Sequence, residues 1–241
     1  MHHGFHEGNA THHTFLFCRG KNFEKFLEAP VKEMRKRSTR TSKFPRFGRN
    51  QMSFDLGLDE RDFEDGDKVK AFMKSIHEAF HLVLILEDLE ESLVLLRHQL
   101  CSSLEDVVHF PKNVRSERKS LKPDERRKLA ELNSVDEALY ETFSTDLRRK
   151  VQAFGEERME EEKLALRCLS EAWAHECQVR WVDRNELPSA VRDWKNSGNL
   201  VSPRHEWSRE RCALMAINSM GFLNLLRARQ LEKTLPLMVL Y

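Results

Sequence analysis

The sequence predicts a helix-rich α/β fold, and three observations predict it. Five apolar residues, Leu82 to Leu86, run unbroken and stop at Glu87 and Asp88. Apolar residues recur at helical spacing on both sides of that run. From Pro123 the helical period persists as far as Arg167. An apolar run this short is no buried helix and fits a parallel strand covered on both faces, which reads as continuous rather than alternating. Helix, strand, helix in that order implies a layered α/β unit, whose ligands gather beyond the strand's carboxyl end. Glu87 and Asp88 occupy that end. Two roles are open for them: contact with an acceptor or base chemistry, and capping of the following helix, whose start favours negative charge.

The totals bound the class. The chain has 241 residues, 40% of them apolar and 33% charged, which suits one large domain or one domain with an appendage. A net charge of +1 gives no whole-chain attraction to nucleic acid or a membrane. Cys18, Cys101, Cys168, Cys177 and Cys212 include no C-x-x-C pair, so neither a zinc ribbon nor a redox pair is written here. Pairing among them is permitted but not demanded. No apolar run approaches the roughly 20 residues that span a bilayer. The opening "MHHGFHEGNATHH" lacks the basic and apolar regions of a signal peptide, so this stretch predicts neither leader nor anchor. A sequon at Asn9 matters only in the secretory route.

Along the chain, residues 1–20 read as an irregular His-rich segment. Such ends take metals adventitiously, and no metal site is expected. Phe23, Phe26 and Leu27 at i, i+3, i+4 predict a short helix stopped by Pro30. Residues 32–49 carry a run of lysines and arginines, among them Arg35, Arg37, Arg40 and Arg49. Such a run grips phosphate or sulfate groups or stands as a solvated linker, and an anionic partner there would bind in a salt-dependent way. In "NQMSFDLGLD", Gly57 marks a turn. Apolar residues at 69, 72, 73, 76 and 80 predict a helix from Val69 to Phe80, and Leu93, Leu96 and Leu100 with Val94 predict another from Glu90. Val107 to Phe110 reads as a second brief strand. Ser134 and Glu137 form a capping box, followed by the core stripe Leu139, Tyr140, Phe143, Leu147, Val151 and Phe154. Beyond Cys168 all four tryptophans gather. His175 and Cys177 with Cys168 match no standard metal spacing. Residues from Arg209 on predict a terminal amphipathic helix.

Several blocks, in preserved order, carry a resemblance. "KNFEKFLEAP", "NQMSFDLGLD", "FHLVLILEDLEESLVLLRHQLCSSLEDVVHFPKNVRSE", "LKPDERRKL", "LNSVDEALYETF" and "DLRRKVQAFGEERMEEEKLALR" together resemble the second half of the galactose 3-O-sulfotransferase family, its galactosylceramide-sulfating members above all. The resemblance covers residues 21–167 and divides the chain into an N-terminal segment 1–20, a sulfotransferase-like half-domain 21–167 and a divergent helical tail 168–241.

The resemblance implies part of a three-layer, P-loop-like sulfotransferase fold in a Golgi membrane enzyme. It implies transfer of a sulfo group from 3′-phosphoadenylyl sulfate (PAPS), without a metal, to the 3-hydroxyl of galactose on a glycolipid or glycoprotein. It implies no nucleic-acid partner, and leaves a homo-oligomer or a full-length paralogue as partners. The family's donor site is a Lys-containing loop at a helix start, an anion site by virtue of its free N–H groups, followed by an Arg and Ser segment. Neither motif stands in these residues, so no donor-binding or catalytic residue carries over, and the chain alone is expected to be inactive. For acceptor contacts the candidates are Asn50, Gln51 and Asp55 as hydrogen-bonding groups near a turn, Phe54 to stack on a sugar face, and Glu87 at the run's carboxyl end. The alternative is a shortened paralogue that binds glycans or partners without catalysis.

Overall fold

A computed structural model describes residues 23–31, 49–111, 120–187 and 197–238. The His-rich segment and the basic run up to residue 48 lie outside the described residues. The chain divides into two compact units, Met1–Leu100 with Lys119–Met159, and Cys101–Arg118 with Glu160–Tyr241.

The first unit holds α1 (Phe23–Glu28), α2 (Gln51–Asp55), α3 (Gly66–Ala79), α4 (Leu89–Gln99), α5 (Pro123–Leu132) and α6 (Ser134–Phe154). The expected 3.6-residue stripes form its core, except that Phe80, just past the end of α3, is exposed and Phe154 lies outside the cluster. Phe72 and Ile76 of α3 meet Val135, Leu139, Phe143 and Leu147 of α6, with Leu58, Phe63 and Ile85 completing the cluster. Each such side chain contributes about 1.5–3 kcal/mol of burial. Phe23 and Phe26 pack on Leu129 and Leu132 of α5, the face their spacing predicted. Asp65 starts α3 by accepting the N–H groups of Asp67 and Lys68. Gly57 turns the chain at φ 105° and Gly155 ends α6 at φ 100°, conformations that glycine adopts without steric cost.

Three local expectations are corrected. Leu82 to Leu86 is not a strand: of the five only Ile85 is buried, while Leu84 and Leu86 are exposed. Instead of a ladder, the side chain of fully buried Ser92 serves the Ile85 backbone, accepting its N–H at 3.0 Å and donating to its carbonyl at 3.3 Å. The run's buried polar groups are thereby satisfied from the next helix. On α4, of the expected face Leu93, Leu96 and Leu100 with Val94, only Val94 is fully buried; Leu93 and Leu96 are half-buried and Leu100, just past the helix end, is exposed. At α6 no capping box closes between Ser134 and Glu137; the cap position is Asn133, and the free N–H groups go to a residue far away in sequence, as described below.

The second unit contains the rest of α7 (Glu156–Glu176), β1 (Arg180–Asp183), β2 (Ser197–Leu200), α8 (Arg209–Ala216) and α9 (Ser219–Met238). Leu104–Val107 is a 3-10 turn followed by irregular chain, where a strand was expected from Val107. The sole sheet among the described residues is β1 antiparallel to β2, pairing Arg180 with Leu200. The helix-rich part of the prediction stands; a parallel sheet is not formed by these residues. A Cys177–Cys212 disulfide joins the end of α7 to α8, which removes Cys177 from any metal role. Arg211 stacks over buried Trp173 at 4.5 Å and pairs with Glu105 at 2.9 Å. Gly198 lies so close to Leu187 that an added Cβ would come within 2.9 Å of its Cδ1. No helix among the described residues is long and apolar enough to cross a membrane.

Candidate functional site

Four of the five candidate residues sit on one short turn, and its construction explains where they face. Asn50 adopts the left-handed conformation at φ 47°, which asparagine tolerates better than most residues. It is fully buried. Its N–H donates to Asn133 Oδ1 at 3.0 Å, and its own Oδ1 accepts Val135 N–H at 3.1 Å and Asp136 N–H at 3.2 Å. In return Asp136 accepts Met52 N–H at 3.0 Å, Ser53 N–H at 2.8 Å and the Ser53 hydroxyl at 2.6 Å. Two helix starts, α2 and α6, thus close each other's orphan amides. The N–H and Oδ1 of Asn50 are committed to that exchange, while its buried Nδ2 has no partner.

Gln51 is buried and donates to Asp55 Oδ1 at 2.8 Å, while Phe54 packs half-buried against the core. Asp55 is exposed. Arg49, the last residue of the basic run, is engaged: it donates to Leu132 O at 3.1 Å, pairs with Glu64 and lies over Phe63.

Glu87 lies elsewhere in the same unit, where the apolar run gives way to α4. It is half-buried, and its Oε2 is buried without a hydrogen-bond partner. Asp88, at the cap position of α4, makes no side-chain cap bond. Beside Glu87 stands Tyr140 of α6. Burial, then the charges of Glu87 and Asp88, hold the Tyr140 phenol above its ordinary range. One turn further on α6, Ser144 lies near the phenol without closing an aligned bond; its buried hydroxyl is unpartnered. Glu87, Tyr140 and Ser144 therefore form a polar cluster against an apolar core. The sequence placed Tyr140 in the core stripe and passed over Ser144. The signal was there, since two hydroxyl residues four apart inside a Leu/Phe stripe need polar partners. Chemically, a carboxylate with an uncommitted oxygen can take a proton from a hydroxyl within reach, and a neutral phenol can orient it.

Helix starts attract the phosphate end of a nucleotide through their free N–H groups, but six of those in the described residues carry acids. First turns carry Asp67 on α3, Glu90 and Glu91 on α4, Asp124 and Glu125 on α5, Asp136 and Glu137 on α6, Glu156 and Glu157 on α7, and Glu210 on α8. Carboxylates there repel an anion that a helix dipole would otherwise attract. At α9, Asn218 Oδ1 already accepts Gly221 N–H at 2.7 Å.

Comparison with known proteins supplies the family. A family model described as galactose-3-O-sulfotransferase matches residues 9–190, reaching further at both ends than the blocks between Lys21 and Arg167. Galactosylceramide sulfotransferase of Mus musculus is 35% identical over 177 residues, covering 66% of this chain and 41% of its own length. Its Bos taurus counterpart is 38% identical over 155 residues, covering 62% and 37%. Galactose-3-O-sulfotransferase 2 of Mus musculus is 35% identical over 130 residues, covering 53% and 32%. The chain spans about two fifths of the length of the first of these relatives. No solved structure matches it. With the family model covering most of its residues, the chain belongs to the galactose-3-O-sulfotransferase family.

Proposed function

We propose that this chain supplies the acceptor side of a PAPS-dependent sulfo transfer to the 3-hydroxyl of galactose, on galactosylceramide or a related glycolipid or glycoprotein, in the Golgi. The observations that carry the proposal are the family match over residues 9–190 and Glu87, whose Oε2 lies beneath the surface without a partner and must turn outward to meet a sugar. As the galactose 3-oxygen bonds to sulfur, the bond from sulfur to the 5′-phosphate oxygen of PAPS breaks and adenosine 3′,5′-bisphosphate leaves, while the hydroxyl proton passes to Glu87. Tyr140 holds the carboxylate from one side. On the α2 turn, which stands apart from Glu87, Asp55 oriented by Gln51 offers a second acceptor and Phe54 the uncovered part of its ring; Asn50 holds the turn itself. The donor half of the site is left to residues outside this acceptor side. The Cys177–Cys212 disulfide supports a luminal setting, since such bonds persist in oxidising compartments.

Calorimetric titration of residues 1–241 with lactose tests the proposal. Binding weakened about tenfold in Glu87→Ala, the loss of one charge-assisted hydrogen bond, is expected. Undiminished binding in that variant, or none in the wild type, overturns it. A second reading, galactoside binding without transfer, is favoured by the acid-guarded helix starts. Labelled sulfo transfer from PAPS to galactosylceramide by this chain with a paralogue present distinguishes the two.

A further inference from the structure

We propose that the apolar run from Leu82 to Leu86 is a self-docking edge, which pairs antiparallel with the same run of a second copy of this chain about a two-fold axis at Leu84. The run has the composition of a strand and no ladder. Leu82, Leu84 and Leu86 make no backbone hydrogen bond among the described residues. Ile85 is buried between exposed Leu84 and exposed Leu86, the alternation of extended chain. Leu82 and Val83 pack in part on the core, which seats the run on the first unit.

The hydrogen bonds already made select the edge and the register. In extended chain the N–H and C=O of one residue point to one edge and those of its neighbours to the other. Ser92 accepts the Ile85 N–H at 3.0 Å and donates to its carbonyl at 3.3 Å, and that carbonyl also accepts the Asp88 N–H at 3.2 Å. The Ile85 edge is therefore closed by the start of α4. The opposite edge presents the N–H and C=O groups of Leu82, Leu84 and Leu86, and it is open. Antiparallel pairing about Leu84 uses these groups and no others. Each Leu84 exchanges both bonds with its counterpart, and Leu82 does the same with Leu86 of the other copy, so every donor on the open edge meets an acceptor.

A second copy is the occupant because the run is its own complement in this register. Leucine faces leucine at each of the paired positions, the kind of cross-strand contact that stabilises a sheet. Just outside them His81 of one copy stands opposite Glu87 of the other, a ring N–H donor against a carboxylate. Residues 82–86 also contain no charge and no proline, the devices by which exposed edges avoid such pairing. With the Ile85 edge closed, the two-fold contact stops at a dimer and builds no fibre. So short a ladder buries less than the roughly 1,200 Å² of a standard interface, and the dimer is weak and concentration-dependent. The pairing holds whether or not Glu87 receives a proton from a sugar.

The test is sedimentation velocity of residues 1–241 across micromolar concentrations. A monomer–dimer equilibrium is expected, weakened about tenfold or more in Leu84→Lys, which removes an apolar pair and sets like charges opposite each other. Leu86→Lys, at a still more exposed position (62% against 41%), should give the same loss, so the result does not hang on the folding of one variant. Leu231→Lys, an exposed leucine of α9, should leave the equilibrium unchanged. In a Cys18→Ser/Cys101→Ser/Cys168→Ser background, Leu84→Cys should cross-link to its counterpart through a short bifunctional maleimide, and Leu86→Cys, which lies opposite Leu82, far less. A monomer at every concentration, a dimer that both lysine variants of the run leave intact or that Leu231→Lys weakens as much, or equal cross-linking at positions 84 and 86 overturns the proposal.

Discussion

Replacing Asp136 by alanine should unlock the first unit at one point. The carboxylate is 2% exposed and accepts three hydrogen bonds, from Met52 N–H, Ser53 N–H and the Ser53 hydroxyl. Ser53 is itself fully buried, so water cannot easily replace the lost acceptor. An orphaned buried donor costs about 1–3 kcal/mol, and loss of a helix N-cap costs about 0.5–2 kcal/mol. Those costs overlap, because the Met52 and Ser53 amides are the α2 start, and relaxation softens them. A total of about 3–5 kcal/mol follows, a large share of the roughly 5–15 kcal/mol that holds a domain folded. Asp136→Asn keeps one oxygen but turns an N–H₂ group towards an amide donor, and should lose about 2 kcal/mol. Denaturant titration followed by hydrogen exchange at the Met52 and Ser53 amides reads the effect locally. All four tryptophans lie in the second unit, so their fluorescence serves as the internal control. A shift below about 0.5 kcal/mol for Asp136→Ala, the range of ordinary surface changes, would refute reciprocal capping.

Other outcomes are equally specific. Cys177→Ser/Cys212→Ser opens a loop of sequence separation 35 and should cost the second unit about 4 kcal/mol by loop-closure entropy, read as an earlier tryptophan transition with the first unit unchanged. Gln178→Gly removes a left-handed non-glycine residue and should raise the same transition by about 0.5–1 kcal/mol. Tyr140 should titrate late in a Tyr241→Phe background, where it is the remaining tyrosine. Its folded pKa is raised, so the protonated phenol favours the fold. That contribution is complete below about pH 10, the unfolded value, and is lost as pH climbs through the folded one. Tyrosinate absorbance rising at the free-tyrosine pH would contradict the burial of this group.

The helices were legible because their signal is periodic. Phe72 and Ile76, or Leu139, Phe143 and Leu147, announce one face whatever surrounds them. The run at Leu82 to Leu86 misled for the complementary reason: periodicity cannot reveal where backbone hydrogen bonds go, and those of Ile85, the run's one buried residue, go to Ser92. The capping box failed likewise. Ser134 and Glu137 have the right spacing, but Asn50, 85 positions from Val135, takes the amide instead. Such an exchange is invisible without the fold. Glu87 was picked out by its place at the end of an apolar run; Tyr140 was absorbed into the core stripe because its ring belongs there and only its hydroxyl does not. Pairing of Cys177 with Cys212 likewise depends on α7 and α8 meeting in space.

The most direct measurement is the Glu87 side-chain carboxyl resonance in carbon-13-labelled protein during titration with methyl β-galactoside and, separately, methyl β-glucoside. A saturable shift with the galactoside, absent with the glucoside, is expected. A Glu87 signal that ignores galactose, or responds alike to both sugars, would contradict it.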